Sequence, residues 1–173
     1  MVDELPDVTI RPATVEDAEE IAAVHVASWR QAHTGVVAEE YLAGLDVDAR
    51  AAWWRTQLEQ GSPRVRVWVA EDEGRVVGFS SLGPSLDDDA GRDTLQIYTI
   101  YLEPSAWGRG IARELLRTVL AAVPAGVPVT LWVLEANARA RHFYRRHGFS
   151  PDGVARIEEI GAERFTEMRY RRG

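Results

Sequence analysis

Leu95-Gln96-Ile97-Tyr98-Thr99-Ile100-Tyr101-Leu102 runs through Glu103 and Pro104 into Trp107-Gly108-Arg109-Gly110-Ile111-Ala112 and on to Leu120. The first eight residues carry apolar side chains on both faces, as a central strand does. Ile111, Leu115, Leu116, Val119 and Leu120 then recur at helical spacing. The two glycines between strand and helix let the backbone come close to a ligand. The unpaired N–H groups of the helix's first turn would point at it with the positive end of the dipole. This order predicts an anion site that suits a pyrophosphate. Arg109, Arg113 and Arg117 fall at i, i+4 and i+8, where they meet a further phosphate or form a solvated basic stripe. Glycine turns before helices also serve packing alone, so spacing by itself leaves both roles open.

Working outward, Val8 to Arg11 reads as a strand ending at Pro12, and Thr14 with Asp17 reads as a capping box. Ala18, Ile21, Ala22, His25 and Trp29 share one face of the helix that follows. Ala38 to Leu45 and Asp48 to Gln60 read as further helical pieces. Val65 to Ala70 and Val76 to Leu82 read as antiparallel strands joined by the Glu71 to Gly74 turn. Pro84 to Asp93, with Asp87, Asp88 and Asp89 in a run, reads as a solvated loop. Val129 to Leu134 is an unbroken apolar strand, Asn137 to His147 a helix stopped by Gly148, and Val154 to Tyr170 a strand pair turning at Gly161. The expected fold is α/β or mixed α+β, with no internal repeat.

The length of 173 residues suits one domain over 1–173. With 27 acidic against 20 basic residues the formal charge is -7, which disfavours nucleic-acid phosphates and favours amine-bearing partners. No cysteine is present, so disulfides, thiolate metal sites and cysteine nucleophiles are excluded, as suits a reducing compartment. Met1 to Ile10 lacks the pattern of a signal peptide, and no apolar run approaches the ~18 residues needed for a bilayer span. The four histidines, His25, His33, His142 and His147, form no recognised metal pattern with carboxylates. The expectation is a cytoplasmic protein with no metal and no membrane partner. No lysine-serine or lysine-threonine follows the glycines, as an NTPase phosphate loop would require.

The turn Trp107-Gly108-Arg109-Gly110-Ile111-Ala112 resembles the pyrophosphate loop, Gln/Arg-x-x-Gly-x-Gly/Ala, of the GNAT superfamily of N-acetyltransferases. Its first position departs from that pattern, while the glycine and the small residue are kept. The block from Leu131 to Phe149, with Asn137-Ala138-Arg139-Ala140-Arg141-His142-Phe143-Tyr144, looks like the same family's strand-helix segment. The resemblance implies a mostly antiparallel, twisted mixed sheet with splayed central strands and helices on both faces. Acetyl-CoA would be the co-substrate. Trp107, Gly108, Arg109, Gly110, Ile111, Ala112 and Arg113 would hold its diphosphate, and the backbone at Ile100, Tyr101 and Leu102 its pantetheine arm. Asn137 would bind that arm or a water, or cap its own helix.

In the family a tyrosine at the place of Tyr144 protonates the leaving thiolate, so Tyr144 is the expected catalytic acid and a contact to the cofactor. Many relatives carry a glutamate where this chain has Gln96, which leaves the base open. Glu103 and His33 are candidates beside a water relay. Backbone N–H groups from Ile100 to Leu102 would form an oxyanion hole. The acceptor pocket is expected at Trp29, His33 and Tyr41, with Trp53 and Trp54 nearby and one of those two in the core. His25 is expected to be a satisfied buried histidine. The expected activity is acetyl transfer to a primary amine of a small molecule or a protein, the alternative being a non-catalytic acyl-CoA-binding or sensing module. The final strands could pair across a homodimer.

Overall fold

The computed structural model describes residues 7–173; residues 1–6 of the stretch read for a leader lie outside them. Seven strands form one sheet: β1 (Val8–Pro12), β2 (Arg66–Asp72), β3 (Arg75–Pro84), β4 (Leu95–Leu102), β5 (Val129–Leu134), β6 (Ser150–Ile160) and β7 (Glu163–Arg172). Their order is β1-β2-β3-β4-β5-β7-β6, and every neighbouring pair is antiparallel except β4 with β5. The helices are α1 (Ala18–His33), α2 (Glu39–Ala43), α3 (Val47–Gln60), α4 (Ile111–Ala121) and α5 (Ala138–Arg146). No helix among the described residues is long and apolar enough to cross a membrane.

Alternation along the central strands divides the core in two. Trp68, Ala70 and Val77 point to the face covered by Ile111, Leu115, Leu116 and Val119 of α4 and Tyr144 of α5. Val69, Val76 and Phe79 point to the opposite face, against Ile21 and Ala22 of α1 and Trp54 of α3. Of the tryptophan pair, Trp54 is core and Trp53 is 47% exposed, because only one of two adjacent helical positions faces the sheet.

The entry to α1 matches the predicted box in one half: the Asp17 carboxylate accepts from the Thr14 N–H at 2.8 Å. Arg11 clamps the same carboxylate with two hydrogen bonds at 2.8 and 2.9 Å. At the far end of the chain β6 starts four residues earlier than predicted, at Ser150. Pro151 is accommodated because β6 is the edge strand, where a missing donor faces solvent. The register shift between Pro151 and Ala155 absorbs the irregularity.

The loop carrying the acidic run is exposed at Asp88 and Asp89, as its composition suggests, but two of its carboxylates are engaged by the fold. Asp87 and Asp89 grip Arg169 of β7 at 3.3 and 2.6 Å, and Asp152 of β6 meets it at 2.6 Å. The Arg169 side chain is only 9% exposed, and Trp132 of β5 donates its Nε1–H to Asp87. One buried guanidinium thereby ties the β3–β4 loop to the last two strands. His25 also departs from expectation: its ring packs against Phe79 and Tyr101, and its buried Nδ1 has no hydrogen-bond partner.

Removing one member of a buried ion network leaves the others uncompensated, which typically costs about 3–5 kcal/mol. Arg169→Leu is therefore expected to lower the unfolding free energy in urea by about 3 kcal/mol or more, without lowering helix content at zero denaturant. Stability should also depend on pH in two stages. Burial, aided by the charge of Arg50, holds His25 down at about 4, below its unfolded value of about 6.5. Stability from its neutral form is whole above that value and declines as the pH falls toward 4. The Arg11 hydrogen bond outweighs burial and holds Asp17 below the usual carboxylate range, so its contribution is lost at still lower pH. Urea midpoints measured from pH 7 to pH 3 should fall through both windows, and His25→Phe should flatten the upper one.

Candidate active site

The parallel pairing of β4 with β5 consists of Leu95 with Val129 and Gln96 with Thr130, and goes no further. Beyond that point β5 follows β7 as far as Leu134, and β4 follows β3 as far as Leu102. The two strands part, and a cleft of about 380 Å³ opens between them. The β4 edge from Tyr98 to Leu102 faces that cleft without a neighbouring strand.

A bulge shapes the edge. Ser81 pairs with Thr99 and Leu82 with Ile97, so Tyr98 is an extra residue without a partner on β3. Three contacts hold it: the Tyr98 hydroxyl donates to the Pro84 carbonyl, Ser80 Oγ to the Thr99 carbonyl at 2.8 Å, and Ser81 Oγ meets Thr99 Oγ1 at 2.7 Å. Gly83 makes the room, since a Cβ there would lie 2.5 Å from the Tyr98 hydroxyl.

At the mouth of the cleft, Gly108 and Gly110 both take left-handed backbone conformations, with φ of 77° and 81°, which side-chain-bearing residues adopt at a penalty. Gly110 is the residue before α4. Among the described residues, no protein acceptor meets the N–H groups from Gly108 to Arg113. This is a concave row of donors at the positive end of a helix. A Cβ at Gly108 would touch no protein atom within 4 Å, so packing does not account for that glycine.

The cleft brings together Ile100, Tyr101, Leu102, Trp107, Gly108, Gly110, Ile111, Ala112, Asn137 and Tyr144, with Trp29 and His33 on its far wall. Asn137 caps α5, its Oδ1 accepting from the Ala140 N–H at 3.1 Å, while its amide NH₂ remains available. Burial, reinforced by nearby Tyr101, pushes the Tyr144 phenol well above its ordinary range, so it stays protonated. Arg109 and Arg113 do not line the cleft. Arg109 pairs with Asp72 of β2 at 2.8 Å, and Arg113 and Arg117 both lean on Glu114, at 3.6 and 3.0 Å. Tyr41 stands outside it, in neighbouring hollows beside α3.

Two residues of the cleft were not singled out in the sequence. Arg139 stacks its guanidinium 4.0 Å over the Trp107 ring, beside the glycine turn. Glu167 of β7 lines the opposite end. Its Oε2 accepts one hydrogen bond from Arg156 Nε and lies 2.7 Å from Nη2 of the same guanidinium, yet burial outweighs this pairing and raises the carboxyl above its usual range.

The base candidates separate cleanly. Gln96 is committed to the fold, its Oε1 accepting from the Leu86 N–H at 3.0 Å. Glu103 is bound by Arg75 at 2.6 Å and by Ser105; burial opposes the effect, but these partners hold it below the usual carboxylate range, and it does not line the cleft. His33 stacks on Trp29 with ring centroids 4.0 Å apart. Its Nδ1 lies 2.9 Å from the Trp29 carbonyl, which places the proton there and leaves Nε2 as an acceptor. Burial lowers the ring's pKa below the usual histidine value, against the opposing pull of the Trp29 carbonyl. Among the described residues no group of three or more His, Cys, Asp or Glu is placed to hold a metal ion.

The chain matches the family model for GNAT acetyltransferases over residues 19–149. A probable N-acetyltransferase of Mycobacterium tuberculosis is 32% identical over 85% of this chain and 82% of its own length. An uncharacterized N-acetyltransferase of Bacillus subtilis is 34% identical over 93% and 90%. The crystal structure of the PaiA N-acetyltransferase of Thermoplasma acidophilum in complex with coenzyme A superposes with a TM-score of 0.73 at 18% identity, covering 95% of this chain and 98% of that one, and so shares the fold. With its donor row and its parted strands, the chain belongs to the GNAT family and is an acetyl-CoA-dependent N-acetyltransferase.

Proposed function

We propose that this chain, acting as one domain in the cytoplasm, acetylates the primary amine of an acceptor that enters between α1 and β7, with the cofactor entering from the glycine turn. The observation that carries this division is the geometry of the cleft. One end presents the free N–H row from Gly108 to Arg113, and the other the carboxylate of Glu167 and the aromatic wall of Trp29. A diphosphate suits the first and an ammonium group the second.

Bound acetyl-CoA supplies the acetyl group as an activated thioester. The amides from Gly108 to Arg113 hold the diphosphate, and Arg139 adds a cation beside the turn. The open β4 edge from Ile100 to Leu102 offers backbone partners to the pantetheine amides, as does the free side-chain NH₂ of Asn137. N–H groups of the same edge, set by the Tyr98 bulge, are the donors available to a carbonyl oxygen as it gains charge. The phenol of Tyr144 is the hydrogen-bond donor to the departing sulfur. Glu167, more basic than an ordinary carboxylate, accepts the proton the amine sheds during attack. His33 Nε2 is a further acceptor on the acceptor side. Arg109 and Arg113, engaged by carboxylates, contribute to phosphate binding only by exchanging those partners. Val154 and Ile157 are exposed on the edge strand β6, which suits pairing with a second copy.

Loss of a general acid or base typically slows turnover about 10²–10⁴-fold. Tyr144→Phe is expected to lower kcat within that range while calorimetry finds coenzyme A affinity unchanged; undiminished kcat would remove the phenol from the chemistry. Glu167→Gln should lower kcat at least about 10²-fold. It should also erase the fall in wild-type rate that begins above the ordinary carboxylate range as the pH is lowered. An acid limb that persists in the variant would assign the proton acceptor elsewhere, with His33→Gln the next test.

A further inference from the structure

A second cavity of about 220 Å³ lies beside the cleft, among α1, the α2–α3 connection and β4, and is walled by His25, Trp29, Tyr41, Arg50 and Tyr101. Trp29 and Tyr101 also line the cleft. Their hydrogen bond, Trp29 Nε1 to the Tyr101 hydroxyl at 3.1 Å, is the partition between the two spaces. The two spaces therefore share two side chains and adjoin at that hydrogen bond.

The charges in the cavity are unusual for this chain. The other arginines of comparable burial all have polar partners: Arg11 pairs with Asp17 and Glu71, Arg169 with three aspartates, and Arg141 donates to the Tyr170 hydroxyl and the Glu135 carbonyl. Arg50 is half-buried and, among the described residues, makes no ion pair and no side-chain hydrogen bond; its nearest aromatic contact is the Trp53 ring at 5.6 Å. Among the described residues the one carboxylate lining this cavity is Asp46, which caps α3 through its Oδ1, accepting from the Asp48 and Ala49 N–H groups at 2.9 and 3.1 Å; Glu40 lines the neighbouring hollow with Arg50 and makes no ion pair with it. Acidic residues outnumber basic ones in this protein, so a cation left without a partner inside a cavity marks a place kept for an anion.

His25 supports the same sign. Its Nδ1 is buried without a partner. An orphaned N–H is rarer than an orphaned lone pair, so the proton belongs on Nε2, and the neutral ring is a donor at that edge. Arg50, His25 and Tyr101 line the same cavity. Tyr41 closes the outer side, packed against the β6–β7 turn so closely that a Cβ on Gly161 would lie 3.0 Å from its ring.

We propose that the acceptor is a small primary amine bearing an oxyanion, with Arg50 holding that oxyanion in the second cavity while the amine passes the Trp29–Tyr101 partition into the cleft. This rests on the transferase reading and narrows it. Free amino acids satisfy the requirement, whereas a polyamine or the N-terminal amine of a protein, whose neighbouring carboxyl is an amide, does not.

The test compares acceptors in pairs, following thiol release from acetyl-CoA: L-amino acids as free acids and as their carboxamides, with aminoalkylphosphonates as a third arm and simple alkylamines as a control. At least one free acid should exceed its carboxamide by tenfold or more in kcat/KM. Arg50→Gln should abolish that ratio by raising KM for the acid, Arg50→Lys should restore part of it, and coenzyme A affinity by calorimetry should be unchanged in both. A phosphonate that outperforms the acids changes the oxyanion and keeps the site. The proposal is overturned if carboxamides match acids, if only alkylamines are acetylated, or if folded Arg50→Gln keeps the discrimination. Failure of wild-type protein to take up coenzyme A would instead defeat the transferase reading, and this inference with it.

Discussion

The molecule is organised around a pair of parallel strands that pair for only two residues each. Once Leu95 and Gln96 have paired with Val129 and Thr130, β4 is held by β3 and β5 by β7, and the twist of the sheet carries the two halves apart. A gap in the middle of a sheet leaves backbone N–H and C=O groups exposed where a folded chain ordinarily pairs them. Those groups are what a cofactor with amide bonds of its own can satisfy. The split also requires anchorage on both sides. The Tyr98 bulge supplies it on β4 and the Arg169 network on β7, joining the β3–β4 loop to the strands beyond the gap.

Charge is partitioned along the cleft in a way that fits two substrates entering from opposite ends. At the glycine turn the donors are main-chain amides at a helix N-terminus, with Arg139 over Trp107 close by. At the other end stands Glu167, paired with Arg156 and raised by burial above the usual carboxylate range. Tyr144 lies buried on α5 between these poles with its proton retained. Beyond the Trp29–Tyr101 partition the sign changes again at Arg50. A molecule positive at one end and negative at the other is complementary to that sequence of charges.

The elements that carry strong periodicity were legible in the sequence: α4 from its apolar spacing, β5 from its unbroken apolar run, and the glycine turn from its place between strand and helix. Asn137 takes the capping role read for it on α5, and it lines the cleft. Residues whose roles depend on distant partners were not legible. Asp87 and Asp89 look like any acidic loop until Arg169, some eighty residues on, is folded beneath them. Glu167 sits in a strand of alternating charged residues, and only the pairing of β7 with β5 at Leu134 brings it to the cleft. For the arginine stripe the spacing left both a phosphate role and a solvated edge open, and it could not show that Asp72 and Glu114 engage the cations.

The central claim is that main-chain amides, at the turn and along the open strand edge, take up the cofactor. Backbone amide shifts followed during titration of the isotopically labelled protein with coenzyme A test it most directly. The account predicts saturation at one equivalent, with the largest changes at Gly108 to Arg113 and at Tyr98 to Leu102. Saturable binding that leaves those two segments unmoved, or no binding at all, would contradict it.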